Sequence, residues 1–102
     1  MINLIESNIE KLNAIYLKHG VSELYAFGSA VSGDFHENSD IDLAVLFKDS
    51  LSPIEQGDAF FGLIDDLEML FNKPVDLISY RALKNQIFID ELDKTKVSLY
   101  AA

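Results

Sequence analysis

Residues 40–47 spell Asp-Ile-Asp-Leu-Ala-Val-Leu-Phe, the strongest strand signal in the chain, and Gly28-Ser29 precede them by ten intervening residues. Successive strand residues point to opposite faces, so Asp40 and Asp42 share a face, with their Cα atoms about 6.7 Å apart. Apolar residues continue along both faces, which predicts an interior strand with its carboxylates at one end. Two carboxylates at this spacing can converge on a pair of Mg²⁺ ions about 3.5–4 Å apart.

A short turn upstream of the two carboxylates is the second part of this sequence pattern. Residues 21–27 predict a strand, and residues 28–33 predict a tight turn that opens a short helix. Gly28 permits close backbone approach, the following helix N-terminus presents free N–H groups to a phosphate, and the Ser29 hydroxyl adds a donor. The chain has no GxGxxG or GxxxxGK[ST], which excludes dinucleotide-binding and Walker-type loops. Turn and carboxylates together favour a metal-dependent enzyme acting on a nucleoside triphosphate.

A third carboxylate is needed because two rarely complete a two-metal site. Asp76 is the best candidate, since it lies inside the only other short apolar strand signal that contains an acid, residues 74–78. Asp65, Asp66 and Glu68 belong to a predicted helix and are interpreted as its solvated face. Uncompensated buried carboxylates would take up protons, and a bound metal would keep them ionised.

Composition limits the classes of protein that fit. The chain has 102 residues, 49% of them hydrophobic and 25% charged, which predicts a single domain over residues 1–102. A formal net charge of −9 repels polyanions and argues against extended DNA or RNA binding. No apolar run approaches the roughly 18 residues of a membrane span, and no signal segment opens the chain, so a cytoplasmic location without membrane association is expected. The absence of Cys excludes disulfide and thiolate chemistry.

The helix signals alternate with the strands. Asn3 with Glu6 resembles a capping box, and His19-Gly20 predicts the end of that first helix. Ser52, Pro53 and Glu55 predict the start of a helix running to about Phe71, capped by Asn72. Ser79 predicts the start of a last helix that carries Leu83, Ile87 and Leu92, and residues 97–100 predict a terminal strand. The fold class is therefore α/β (α+β), a small mixed β-sheet with helices packed against it.

The apolar stripe of the long helix permits two interpretations. Its residues recur at helical spacing: Phe60, Ile64, Leu67 and Phe71. A core stripe is the simpler interpretation. A helix this apolar is also compatible with an interface to a partner or to a second copy of the chain.

The sequence resembles the minimal nucleotidyltransferases (MNT proteins) of the DNA polymerase β superfamily. The resemblance covers nearly the whole chain and is carried by Phe27-Gly28-Ser29, by residues 39–43, Ser-Asp-Ile-Asp-Leu, and by residues 73–77, Lys-Pro-Val-Asp-Leu. It implies that Asp40 and Asp42 bind Mg²⁺, two ions in all, and that Asp76 joins them and assists an attacking hydroxyl. It also implies that Gly28 and Ser29 hold the triphosphate.

The resemblance further implies a reaction and a partner. A hydroxyl would attack the α-phosphate of a nucleoside triphosphate, and pyrophosphate would leave. Larger relatives add a second domain, and the acceptor expected here is instead a partner protein. MNT proteins are commonly antitoxins of HEPN ribonuclease toxins and transfer AMP from ATP to a toxin tyrosine.

Ser32 leaves a second function open. Many relatives carry Arg directly before the glycine that is Gly33 here, and this chain has Ser32. A lost cation weakens a triphosphate pocket, although Lys73 or Arg81, the sole Arg, are candidates to compensate. The alternative is a non-catalytic antitoxin that neutralises its partner by occlusion alone.

Overall fold

The computed structural model describes residues 2–28 and 40–102. The described helices are α1 (Ile2–Ser7), α2 (Ile9–Lys18), α3 (Pro53–Phe71) and α4 (Gln86–Thr95), with a 3₁₀ turn at Tyr80–Ala82. The described strands are β1 (Val21–Ala26), β2 (Ile41–Phe47), β3 (Val75–Ser79) and β4 (Val97–Ala101). The predicted turn and short helix over residues 28–33 lie, beyond Gly28, outside the described residues.

The strands form a mixed sheet in the order β3-β2-β1-β4. β2 pairs in parallel with β3 and antiparallel with β1, and β4 pairs antiparallel with the other side of β1. α3 provides the crossover that a parallel pair of strands requires. The predicted mixed sheet is confirmed, and so is the interior position of β2.

One face of the sheet, here called the core face, holds the main hydrophobic core. Ile41, Leu43 and Val45 of β2 are completely buried there. They pack in one cluster with residues of the two helices that cover this face, Leu12 and Tyr16 of α2 and Leu63 and Leu67 of α3. Full burial of a Leu or Ile side chain contributes roughly 1.5–3 kcal/mol. This face therefore supplies most of the hydrophobic stabilisation.

The opposite face, here called the carboxylate face, carries Tyr25, Asp42, Ala44, Asp76 and Ile78. The register places these residues side by side on β1, β2 and β3. α4 covers part of this face, since Phe88 contacts Phe27 and the ammonium group of Lys96, just after α4, lies 5.0 Å from the Tyr25 ring centroid. The face is thus partly polar and only partly covered.

The termini of α3 were predicted correctly. The Ser52 hydroxyl accepts from the Glu55 N–H, and the Glu55 carboxylate accepts from the Ser52 N–H, at 3.2 and 2.9 Å. These bonds lower the pKa of Glu55. Asn72 ends the helix in the left-handed conformation, with φ 54°. Such end residues contribute about 1 kcal/mol each and fix where the crossover begins and stops.

Two helix starts differ from the prediction. α1 already begins at Ile2, so Asn3 lies inside the helix rather than at its cap, and the helical run is interrupted at Asn8. Ser79 precedes only a 3₁₀ turn, whereas α4 starts after Asn85, whose side chain accepts from the N–H groups of Ile87 and Phe88. Leu83, between the two, has an extended backbone. The predicted last helix is therefore two separate elements, because a side-chain cap at Asn85 restarts the helix.

Asp66 of α3 corrects another interpretation. It lies on the predicted solvated face, yet its carboxylate accepts from Lys18 at 3.0 Å and lies 2.7 Å from Nε2 of His19, at the end of α2. Both contacts lower the pKa of Asp66, and the hydrogen bond with His19 has the larger effect. Asp66 therefore links α2 to α3.

None of the helices in the described part of the chain combines the length and apolarity needed to cross a bilayer.

Candidate active site

Asp42 and Asp76 are direct neighbours across the parallel pair of β2 and β3. Adjacent strands lie about 4.8 Å apart, and both side chains belong to the carboxylate face. Asp42 is half-buried and Asp76 is exposed. The register therefore brings together two carboxylates that are 34 residues apart in sequence.

Gly28 lies directly against the Asp42 carboxylate. A Cβ atom built on Gly28 would stand 2.5 Å from Oδ2 of Asp42, closer than real Cβ contacts come. Its φ of +60° is also in the left-handed region that favours glycine. The N–H of Phe27 donates to the Asp42 carbonyl at 3.1 Å, which holds the end of β1 against the start of β2. Position 28 therefore keeps space open beside Asp42 that a side chain would fill.

Asp40 lies just before β2 and is exposed. The N–H of Ile41 donates to the Pro74 carbonyl at 3.0 Å, so the chain segments that lead into β2 and β3 are held together. Within residues 2–28 and 40–102, no three Asp, Glu, His or Cys side chains come close enough to hold a metal ion. Asp40, Asp42 and Asp76 thus do not form a complete metal cage by themselves.

The donor set nevertheless fits Mg²⁺ in one respect. This ion prefers oxygen ligands and is usually bound through one or two carboxylates together with substrate phosphates. The adjacent carboxylates of Asp42 and Asp76, next to the space kept open at Gly28, match that arrangement. Phosphate oxygens would supply the ligands that the protein does not.

The remaining candidates fall into two groups. Ser29, the other predicted phosphate-binding residue, and Ser32 lie outside the described residues. Arg81 pairs with Asp49 at 2.5 Å. Asp49 lies just beyond the far end of β2, and the five steps from Asp42 to Phe47 alone span about 16 Å at about 3.3 Å per residue. Arg81 is therefore too far from the carboxylates to replace a missing cation in their pocket.

An aromatic pair flanks the carboxylates and was not identified from the sequence. The rings of Phe27 and Phe88 meet edge to face, with centroids 6.2 Å apart. The sequence motif contains Phe27 but assigns it no role, and the predicted last helix carries Ile87 rather than Phe88 among its apolar residues. Ile87 is 83% exposed, and Leu92 is the residue of α4 that is buried. The signal that was available is Asn85, whose cap position shifts the start of the helix.

A charged and aromatic cluster attaches α4 to the same face. The Lys96 ammonium group lies 5.0 and 5.6 Å from the ring centroids of Tyr25 and Tyr80 and 2.8 Å from the Asp93 carboxylate. The Tyr80 hydroxyl also donates to Asp93. Lys96 and Tyr80 lower the pKa of Asp93, and Asp93 raises the pKa of Tyr80. These contacts hold α4 in place beside the two carboxylates.

Comparison with known proteins identifies the family. The family described as "Polymerase beta, Nucleotidyltransferase" matches residues 10–102. The chain belongs to this nucleotidyltransferase family. The predicted family and its polymerase-β-like fold are therefore confirmed.

Its relatives carry more specific names. The chain is 39% identical to the protein adenylyltransferase MntA of Shewanella oneidensis, over 80% of this chain and 50% of that protein. It is 33% identical to the protein adenylyltransferase MntA of Thermococcus cleftensis, over 78% of this chain and 84% of that protein. The chain thus spans about half the length of the Shewanella relative.

A solved structure shares the fold. A chain in a crystal structure of a toxin–antitoxin with AMP-PNP superposes with a TM-score of 0.70 and 28% identity. The match covers 93% of this nucleotidyltransferase chain and 74% of the other.

Proposed function

We propose that this chain transfers AMP from ATP to a hydroxyl group of a partner protein, with Mg²⁺, and that it is the antitoxin of a HEPN-type toxin. The proposal rests on one observation, the contact of Gly28 with Asp42 beside the register-matched Asp76. Support comes from the protein adenylyltransferase names of the relatives and from AMP-PNP in the similar toxin–antitoxin structure. The cytoplasmic location and a single domain over residues 1–102 remain part of the same proposal.

Each residue has a distinct task in this reaction. Asp40, Asp42 and Asp76 would hold Mg²⁺ together with phosphate oxygens, and Gly28 with Ser29 would accommodate the triphosphate. Bound Mg²⁺ would lower the pKa of the attacking hydroxyl and neutralise the charge that develops on the phosphate. Asp76, the more exposed carboxylate of the adjacent pair, orients the acceptor hydroxyl.

The bonds that change follow from the substrate. The acceptor oxygen forms a bond to the α-phosphorus, the bond from that phosphorus to the bridging oxygen breaks, and pyrophosphate leaves. The hydroxyl proton passes to the Asp76 carboxylate and then to solvent. The nucleotide, the acceptor hydroxyl and the carboxylates can meet only on the carboxylate face of β2, because the core face is filled by α2 and α3.

A transfer assay tests the proposal. The purified chain is incubated with Mg²⁺, each labelled nucleoside triphosphate and a purified HEPN-type toxin protein. We expect label from ATP on the partner, and we expect Asp42→Asn and Asp76→Asn to abolish it while the complex still forms. Asp58→Asn, an exposed carboxylate of α3, is the matched control and should label normally.

The same variants separate catalysis from occlusion. If Asp42→Asn abolishes labelling and toxicity returns in cells, transfer is the means of neutralisation. If the wild-type chain never labels its partner yet Asp42→Asn neutralises it fully, the chain is an occluding antitoxin and the transferase proposal is wrong.

A further inference from the structure

Phe27, Asp42 and Asp76 stand in a row across the carboxylate face. β1 and β2 pair up to Ala26 and Leu43, and the bond from the Phe27 N–H to the Asp42 carbonyl continues that register by one residue. Side chains directly opposite one another in an antiparallel pair have Cβ atoms about 4.5–5.5 Å apart. The Phe27 ring therefore starts next to Asp42, on the side away from Asp76.

Phe88 extends this row away from the sheet. Its ring and that of Phe27 lie at 85° to each other. In such an edge-to-face pair the rings do not stack on each other, so each ring keeps at least one face clear of the other ring. Phe88 is also 40% exposed, so part of its side chain is open to solvent.

The position of Phe88 is fixed by its surroundings. Asn85 caps the first turn of α4 through the N–H groups of Ile87 and Phe88, at 3.0 and 3.1 Å. The buried Leu92 and the cluster of Lys96, Asp93 and Tyr80 hold the rest of the helix on the sheet. Phe88 is thus a partly open aromatic surface in a preorganised place.

We propose that Phe88, supported by Phe27, is the platform on which the purine base of the nucleotide stacks. This inference rests on the proposed function, because it takes the α-phosphate to lie at Asp42 and Asp76. In a nucleoside triphosphate the base is joined through the sugar to that phosphate, so an aromatic surface beside the carboxylates is within reach of the base. Purines offer a larger stacking area than pyrimidines, which favours ATP over CTP.

Other exposed apolar residues do not compete for this role. Phe61 is 68% exposed, but it belongs to α3, which packs on the core face through Leu63 and Leu67. It therefore lies on the other side of the sheet from the carboxylates. Phe61→Leu is for that reason the matched control for Phe88→Leu.

The experiment measures binding and needs no partner protein. Dissociation constants are determined in Mg²⁺ for ATP, CTP and inorganic tripolyphosphate, with the whole chain and with Phe88→Leu, Phe88→Tyr and Phe61→Leu. Leu preserves an apolar contact with Phe27 but cannot stack, whereas Tyr can. We expect Phe88→Leu to weaken ATP binding about tenfold or more, a ratio equal to about 1.4 kcal/mol and within the range for stacking a base on an aromatic side chain.

The other measurements distinguish the possible outcomes. Tripolyphosphate binding should be equal in all four proteins, the preference for ATP over CTP should fall in Phe88→Leu, and Phe88→Tyr and Phe61→Leu should resemble the wild type. Equal ATP binding in Phe88→Leu overturns the inference and leaves the proposed function intact, and weaker partner binding in that variant would then assign Phe88 to protein docking. If neither ATP nor tripolyphosphate binds the wild type, both the inference and the proposed function fail.

Discussion

The two faces of the same sheet differ in what they bury. On the core face, β2 contributes side chains that are completely buried under α2 and α3. On the carboxylate face, the same strand contributes Asp42 beside Asp76, and α4 leaves Asp76 exposed. Side chains one residue apart on β2 therefore belong to different environments. Stability and chemistry are separable at the level of single neighbouring residues.

Substitutions of Leu43 and Asp42 should show the largest difference between the faces. Leu43→Ala removes a completely buried side chain and should cost about 2–5 kcal/mol of unfolding free energy. Asp42→Asn should change stability by less than about 1 kcal/mol, because like charges placed directly opposite in a sheet repel. Urea unfolding checks both values. A loss of several kcal/mol in Asp42→Asn would show that the carboxylate face also bears the fold.

Bound Mg²⁺ should stabilise the protein through the carboxylate face only. Neighbouring carboxylates repel one another when no metal is bound. Binding of Mg²⁺ should therefore stabilise the folded protein, by about 2.7 kcal/mol when Mg²⁺ is at 100 times its Kd. Thermal melting with Mg²⁺ and with EDTA measures this shift in the wild type, in Asp42→Asn and in the control Asp58→Asn. Equal shifts in all three proteins would argue against a metal site at Asp42.

Two glycines sharpen the contrast because both have positive φ. Gly28→Ala and Gly20→Ala, at φ +60° and +67°, should each lose about 1–2 kcal/mol of stability from backbone strain. At Gly20 the new Cβ meets the flexible end of Leu51, whereas at Gly28 it meets the Asp42 carboxylate. Only Gly28→Ala should therefore also lose nucleotide transfer, measured with labelled ATP. Equal transfer by the two variants would contradict a role for the space beside Asp42.

The smallest expected effect is a pH dependence on the core-face side. The pKa of Asp66 is lowered by His19 and Lys18, so its unfolded value, about 3.9, is the higher one. The contribution of Asp66 to the free energy of unfolding is present above its unfolded pKa and is lost as the pH falls through its lower folded pKa. For a partly exposed pair we expect less than about 1 kcal/mol. Urea unfolding of the wild type and Asp66→Asn, from about pH 6 to about pH 3, should show the two stabilities converging at low pH.

The sequence predicted the elements that carry local signals. The apolar run of residues 40–47, with two carboxylates at its start, places β2 correctly, and Ser52, Glu55 and Asn72 place both ends of α3. These features depend on residues within a few positions of one another, so pattern and capping chemistry are sufficient. The adjacency of Asp76 to Asp42 was proposed from the resemblance and from an acid inside a short apolar strand.

The rest depends on contacts between distant residues. The pairing of Phe27 with Phe88 and the cluster around Lys96 join β1 to α4 and have no local pattern. The last helix was misplaced because Ser79 and Asn85 are both good caps, and only the packed structure shows that Asn85 starts it. Asp66 was misinterpreted for the same reason, since its partners lie on α2.

The parallel register of β2 with β3 has a consequence for folding. It joins residues 34 positions apart, and such non-local contacts form late because the chain between them must first be ordered. A shift of the register by one residue would turn Asp76 toward the core side and Val75 toward solvent. The pairing that aligns the two carboxylates is therefore the same one that completes the apolar cluster. A partly folded chain should not bring Asp42 and Asp76 together. The ability to bind metal and nucleotide would therefore appear only with the cooperative final step of folding.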